Sequence, residues 1–388
     1  MTASRTTDLQ NETDKTDTAD MTNTTGKAEA TAMTDTTDKI ARKFRLVQVG
    51  CGNMARRWVK YAAGRPDIEL AALVDIHLPA AEALAREFGL DCPCYTDLGT
   101  AIRETGADLV FDVTVPQVHK TVVTTAVELG CDVIGEKPLA VTMADAYEIE
   151  DIVRRHGRRY AVMQNRRFAR QIREARGLIA QGTIGKPAHA TANFFLGPHF
   201  GGFRETMDHP LLLDMAIHTF DQARYLLQAD PVSVYCHEFN PTHSWYAGNA
   251  SAVCIFEMSD GSVFTYNGSW CAEGEPTSWQ GDWRVVGSEG TLFWDGTNDC
   301  YCSVAEGNLG PGARMHTYRR VEPASPWTGH EGHDGCFDEM LAALAEDRPA
   351  ETDCSDNLKS MAMVFAAIES ARAGEKVRIG PGQAYDRS

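Results

Sequence analysis

The chain has 388 residues, 43% of them hydrophobic, which is enough for two domains with substantial cores, since single cores rarely grow past roughly 250 residues. A formal charge of -17 opposes nucleic acid or anionic membrane as a partner and leaves a small molecule as the expected one. No stretch approaches the ~18 uninterrupted apolar residues of a membrane span, and the amino terminus has no apolar signal core, so a cytoplasmic protein is expected. The eleven cysteines are scattered, and the pairs Cys92/Cys94 and Cys300/Cys302 fit no four-ligand zinc pattern, so buried or incidental thiols and no metal are expected.

Residues 1–42 are dominated by Thr, Asp, Ala and Lys, as in TDKTDTADMTNTT from Thr13 to Thr25. Such a segment buries too little apolar surface to offset its ordering entropy, and a disordered tail is expected. From Phe44 the texture changes. FRLVQVG reads as a strand, NMARRWVKYAAG as a helix closed by Gly64, and IELAALVD as a second strand. A helix over Pro79–Phe88 follows, then ADLVFDVTV as a strand, HKTVVTTAVELG as a helix and CDVIGE as a strand. Thr142 and Asp145 form a capping-box pattern opening a helix to His156, and YAVMQN is another buried strand. This alternation specifies a parallel, doubly wound α/β sheet over residues 43–165.

Residues 166–388 read differently. After a helix near Phe168–Ala180, the strands AHATANFF, PVSVYCHEF, ASAVCIFEMSDGSVFTYNGSW and WRVVGSEGTLFW dominate. Hairpins are expected at Ser259-Asp260-Gly261 and at Gly287 to Gly290. One helical segment, Pro210 to Leu227, interrupts the strands, and helices near Gly335–Ala345 and Asn357–Ala373 close the chain. The expected second domain is α+β with a large, mostly antiparallel open sheet.

VGCGNMA, Val49 to Ala55, fits G-x-G-x-x-G/A with Gly50, Gly52 and Ala55 at the small positions. Gly50 permits the turn, Gly52 lets the backbone approach a pyrophosphate, and Ala55 keeps the helix close to the strand. The motif follows a strand, opens a helix and precedes a strand ending at Asp75, the context a dinucleotide site requires. A carboxylate at Asp75 can accept from both ribose hydroxyls and repels a 2'-phosphate, so NAD is favoured over NADP. Asp214 and His218 stand four apart on one helix face, where a carboxylate can tune a histidine that moves a proton near neutral pH. Lys137, in IGEKPLA, would complete a proton-handling set.

In this order, Gly50-Cys51-Gly52-Asn53-Met54-Ala55, TVPQVH from Thr114 to His119, Glu136-Lys137-Pro138, and Asp214 with His218 make the chain resemble the Gfo/Idh/MocA family of oxidoreductases, the glucose-fructose oxidoreductase and inositol dehydrogenase group. The resemblance spans nearly all of residues 44–380. It implies a Rossmann domain followed by an α/β domain whose open sheet commonly forms the interface of a homo-oligomer, a dimer or tetramer. Asn53, Met54, Thr114, Pro116, His119 and Glu136 carry over as cofactor contacts, as does Pro138, with a cis peptide before it. The resemblance gives Lys137 to the reacting hydroxyl or nicotinamide ribose, Asp214 to substrate positioning, and His218 to the general base.

The reaction implied is hydride transfer between nicotinamide and a hydroxyl of a sugar, sugar derivative or cyclitol. An NAD-using glycoside hydrolase or lyase is the alternative within the family, and an NAD-sensing regulator without catalysis is a third reading. Between the motifs, Asn165, Arg166, Arg167, His199, Arg204, His209, Trp245, Tyr246, Trp279 and Gln280 are able to meet a polyol; Arg166, Arg204, His209 and Trp279 are the selected candidates. MDHPLLLDM departs from the glycine-rich lead common in the family, which bears on substrate identity more than on hydride chemistry.

Overall fold

The computed structural model describes residues 42–383; the expected tail lies outside the described residues, apart from Arg42. Arg42 bonds to Asp132 Oδ2 at 3.1 Å and to the Leu344 carbonyl at 2.9 Å. The first layer alternates β1 (Phe44–Val49), α1 (Ala55–Ala63), β2 (Ile68–Val74), α2 (Leu78–Phe88), β3 (Cys94–Tyr95), α3 (Leu98–Thr105), β4 (Leu109–Asp112), α4 (His119–Glu128), β5 (Asp132–Gly135), α5 (Met143–Arg155) and β6 (Tyr160–Val162). Its six strands run parallel in the order β3-β2-β1-β4-β5-β6, the doubly wound arrangement with its switch between β1 and β4.

Local chemistry sets the helix ends. Gly89 and Gly106 terminate α2 and α3 in left-handed conformations. Asp97 caps α3 by accepting from Thr100 N at 2.8 Å. Thr142 and Asp145 pair at the expected cap: Thr142 Oγ1 accepts from Asp145 N at 3.0 Å, and the Asp145 carboxylate accepts from Thr142 Oγ1 at 2.8 Å and from Lys120 Nζ at 2.7 Å.

The second layer contains α6 (Arg170–Ala180), β7 (Pro187–Phe195), α7 (Ile217–Leu227), β8 (Pro231–Phe239), β9 (Ser251–Met258), β10 (Val263–Ser269), β11 (Asp282–Gly287), β12 (Gly290–Trp294), β13 (Cys300–Glu306), β14 (Thr317–Val321), α8 (Gly332–Ala345), α9 (Cys354–Ala373) and β15 (Val377–Arg378). Its nine strands lie in the order β14-β13-β12-β11-β7-β10-β9-β8-β15, antiparallel except where β7 meets β10. Both expected hairpins form. Helices α6, α7 and α9 pack on this sheet. On β8 and β9, Tyr235, Val253 and Ile255 are exposed, and the register places Tyr235 beside Ile255.

Helix α8 crosses back to the first layer. Phe337 packs edge-on to Trp58 at 4.7 Å and stacks on Tyr61 at 4.4 Å, so residues 166–388 contribute to the core under β1 and β4. Burying these rings stabilises the junction by about 1.5–3 kcal/mol per large side chain. A buried ion network ties the region after β6 to α7 and α9. Arg167 meets Asp221 through two bonds of 2.6 and 2.7 Å and Asp356 at 2.8 Å, while Arg224 reaches Asp356 at 2.6 Å. Arg167, read from the sequence as able to meet a polyol, therefore joins helices instead, because two carboxylates claim its guanidinium. All eleven cysteines are free.

Candidate active site

The crevice is built from strand ends. Gly50 follows β1, Asp75 follows β2, Asp112 ends β4, Glu136 and Lys137 follow β5, and Asn165 lies just beyond β6. In a parallel sheet these carboxyl ends face the ligand. Gly50 has φ of +85° and a Cβ there would meet the Val113 carbonyl at 2.5 Å, so the turn admits only glycine. At Gly52 a Cβ would meet nothing within 4 Å. That open space in front of the turn, with the backbone of α1 beginning at buried Ala55, fits a dinucleotide pyrophosphate. Asn53 Oδ1 accepts from Arg56 at 3.1 Å, and Met54 is exposed beside it. The Asp75 carboxylate accepts from Cys51 N at 2.9 Å and His77 N at 2.8 Å, so it braces the glycine turn.

The loop after β4 is held from beneath. Asp112 accepts from Thr114 Oγ1 at 2.6 Å and bonds His119 Nδ1 at 2.7 Å, with both side chains of the Asp112–His119 pair buried completely. His119 thus supports the loop from inside, while Pro116 opens a short 3₁₀ turn at its outer edge. Glu136 accepts from Trp58 Nε1 at 2.9 Å; burial pushes its carboxyl upward, against the Trp58 bond and Lys137. The Lys137–Pro138 peptide is cis.

Lys137 Nζ reaches across to the Asp214 carbonyl at 2.8 Å and to Asp214 Oδ1 at 3.3 Å, and Arg204 Nε holds the other carboxylate oxygen at 2.7 Å. Burial opposes ionisation of Asp214, but Lys137 and Arg204 outweigh it and hold its carboxyl below the ordinary range. Residues Leu211–Ala216 form a π-helical turn leading into α7, so the plain α-helix expected from Pro210 to Leu227 is interrupted just where Asp214 stands. The expected tuning of His218 by Asp214 is corrected accordingly, because no hydrogen bond or ion pair joins them. His218 is buried with Nδ1 unpartnered, and burial, followed by Arg166, Lys137 and His333, pushes its pKa well down. Burial first, and then a cationic surround rather than a carboxylate, disfavours the imidazolium form.

Arg166 stands close enough to act electrostatically on both Asp214 and His218, and burial lowers its pKa to about 10. Its guanidinium donates to the Trp279 carbonyl, and Trp279 is 46% exposed. His209 is drawn elsewhere: Nδ1 lies 2.6 Å from Glu238 Oε2, whose side chain is buried. Lys137, Arg166, Arg204, Asp214 and His218 therefore form one group, with His209 engaged at its flank.

Comparison with known proteins matches two family models, one in each half of the chain. A model described as an oxidoreductase family with an NAD-binding Rossmann fold matches residues 44–164, and the GFO/IDH/MocA C-terminal domain matches residues 172–293. The chain belongs to the GFO/IDH/MocA oxidoreductase family. Among its relatives, D-glucoside 3-dehydrogenase of Escherichia coli is 31% identical over 202 residues, 50% of this chain and 57% of that protein. NAD-dependent scyllo-inositol 2-dehydrogenase of Bacillus subtilis is 28% identical over 233 residues, 59% of this chain and 66% of the relative. An oxidoreductase from Agrobacterium radiobacter, solved with NAD, L-tartaric acid and magnesium, superposes with a TM-score of 0.74 at 22% identity, covering 87% of this chain and 99% of its own. At that identity the likeness concerns the fold.

Within this GFO/IDH/MocA chain, three side chains at the site escaped the sequence reading. Asp112 carried a faint signal, an acid ending an apolar strand. Trp58 and His333 carried none, since each looks like an ordinary helix residue until the chain folds. His333, at the start of α8, bonds Asn165 at 3.3 Å through Nδ1, and burial lowers its pKa.

Proposed function

We propose that the protein oxidises a hydroxyl of a sugar, sugar derivative or cyclitol with NAD as hydride acceptor. One observation carries this reading: the ammonium of Lys137 is fixed on Asp214 at the ends of the parallel strands, in electrostatic contact with neutral, buried His218. The names of its Escherichia coli and Bacillus subtilis relatives support the substrate class.

Bound NAD supplies the hydride acceptor. His218 receives the hydroxyl proton, a role for which its imidazole is already in the basic form. Lys137 places positive charge beside the oxygen as it becomes an alkoxide. Asp214, itself clamped by Arg204, fixes the direction of Lys137 and accepts a neighbouring substrate hydroxyl. Asp75 takes the ribose hydroxyls, which favours NAD over NADP; Gly50, Gly52, Asn53, Met54 and Ala55 receive the pyrophosphate, and Thr114, Pro116, Glu136 and Pro138 shape the nicotinamide end. Arg166 and Trp279 complete the substrate side. The exposed apolar row on β8 and β9 supports a homo-oligomer formed through the open sheet.

The test is a screen of sugars and inositols for NADH formation, read by its ultraviolet absorbance, with Lys137→Ala as control. Substrate-dependent NADH that vanishes in the control supports the reading. Copurifying NAD with glycoside cleavage but no NADH would instead favour the hydrolase or lyase alternative.

A further inference from the structure

Beside the reacting group lies an aromatic rim, of which only Trp279 has a part on the substrate side. Phe200 and Phe203, in the segment leading to the π-helical turn, are 55% and 67% exposed, and Trp279 is 46% exposed. Phe200 and Trp279 are neighbours, and the Arg204 guanidinium links Phe200 and Phe203 to the reacting group. Phe200 lies 6.2 Å from Trp279 between ring centroids, and Trp279 meets buried Trp270 edge-on at 5.7 Å, which fixes its plane. The Arg204 guanidinium lies 5.5 Å from the Phe200 ring and 4.7 Å from the Phe203 ring while its Nε holds Asp214 at 2.7 Å. Trp279 is tied in the same way, its carbonyl accepting from Arg166.

Apolar rings left bare in a cluster beside a polar pocket mark a binding groove. The reacting group, made of Lys137, Asp214, Arg204, Arg166 and His218, is charged and matches the hydroxyls of a single ring. The rim is apolar and lies one guanidinium away from it. The Arg204 guanidinium links Asp214 to the Phe203 ring, so the rim offers an apolar face to a group beyond the ring held at Asp214.

Building on the dehydrogenase reading, we propose that the substrate is a glycoside: the sugar being oxidised sits at Lys137 and Asp214, and the sugar or aryl group linked to it lies across Phe200, Phe203 and Trp279. Exposed side chains carry this subsite, so their removal leaves the core unchanged.

The experiment compares glucose with maltose, cellobiose and phenyl β-D-glucoside on the full chain saturated with NADH, measuring binding by calorimetry, which requires no turnover. At least one glycoside is expected to bind about tenfold more tightly than glucose, a scale set by an aromatic contact of about 1.4 kcal/mol. Phe203→Ala and Trp279→Ala should each reduce affinity for that glycoside at least fivefold more than affinity for glucose, on the scale of the same contact. Equal or absent binding of all three glycosides, or a preference that survives both substitutions, overturns the proposal. A change of oligomeric state in Phe203→Ala also overturns it, by assigning the rim to a subunit contact. NADH formation is scored separately: a glycoside that binds by this pattern without being oxidised leaves the subsite standing and removes the dehydrogenase reading.

Discussion

Lys137 and Asp214 are 77 residues apart in sequence, yet the lysine ammonium touches both the carbonyl and the carboxylate of the aspartate, at 2.8 and 3.3 Å. The contact joins the end of β5 to the π-helical turn before α7, so the two layers meet through it. Lys137→Ala is expected to retain NAD binding and to lower kcat by about 10²–10⁴-fold, the range of a proton-handling group. Cofactor titration by fluorescence and steady-state rates check the two halves; a parallel loss of NAD affinity would assign the lysine to the cofactor alone.

His218 is expected to set the acid limit of the proposed reaction. Because burial and neighbouring cations depress its pKa, the imidazole stays neutral below the ordinary value of 6.5. The kcat/KM profile for oxidation is therefore expected to hold its plateau to lower pH than an exposed histidine allows. The linkage to stability has a definite sign: the unfolded histidine binds a proton first, so the contribution is whole above 6.5 and is lost as pH falls below it. His218→Gln should remove both the acid limb and most turnover.

Asp75 braces the glycine turn, and the proposed reading gives it the ribose hydroxyls. Asp75→Ser is expected to weaken NAD and to strengthen NADP, narrowing the ratio of their dissociation constants by about tenfold, the effect of roughly 1.4 kcal/mol. Direct titration with both dinucleotides reads this, and an unchanged ratio would confine Asp75 to a structural role.

The buried network around Arg167 should dominate stability in the second layer. Arg167→Met leaves Asp221 uncompensated and is expected to cost about 3–5 kcal/mol in urea unfolding. For Asp356, burial acts against ionisation, but Arg167 and Arg224 prevail and bring its pKa to about 2 from 3.8. Its contribution, on the order of 2 kcal/mol, is present above 3.8 and is lost as pH falls toward 2.

On the open face of the nine-stranded sheet, Ile255→Glu should shift the sedimentation of the protein toward a monomer without altering its circular dichroism. Burying a carboxylate in an apolar interface costs several kcal/mol, whereas on a free surface it costs almost nothing.

Much of this arrangement was legible in the residues themselves. Strand–helix alternation and the spacing of Gly50, Gly52 and Ala55 specify the parallel sheet and its dinucleotide turn because periodicity and steric permission are local properties. Short or edge elements were not legible. β3 has two residues and β14 is exposed along nearly its whole length, so neither shows a strong apolar period. Lys137, Asp214 and His218 could be named from the sequence, but their relationship could not. Four-residue spacing suggested that Asp214 tunes His218, whereas the π-helical turn, Lys137 and Arg204 claim the carboxylate and leave the histidine among cations. Likewise Arg166 and Arg167 are adjacent and alike in sequence; one enters the crevice and the other is consumed by Asp221 and Asp356. Sequence determines what each segment can form and which chemistry is present. Which charge meets which depends on contacts between residues far apart in the chain, and only the packing of the two layers decides that.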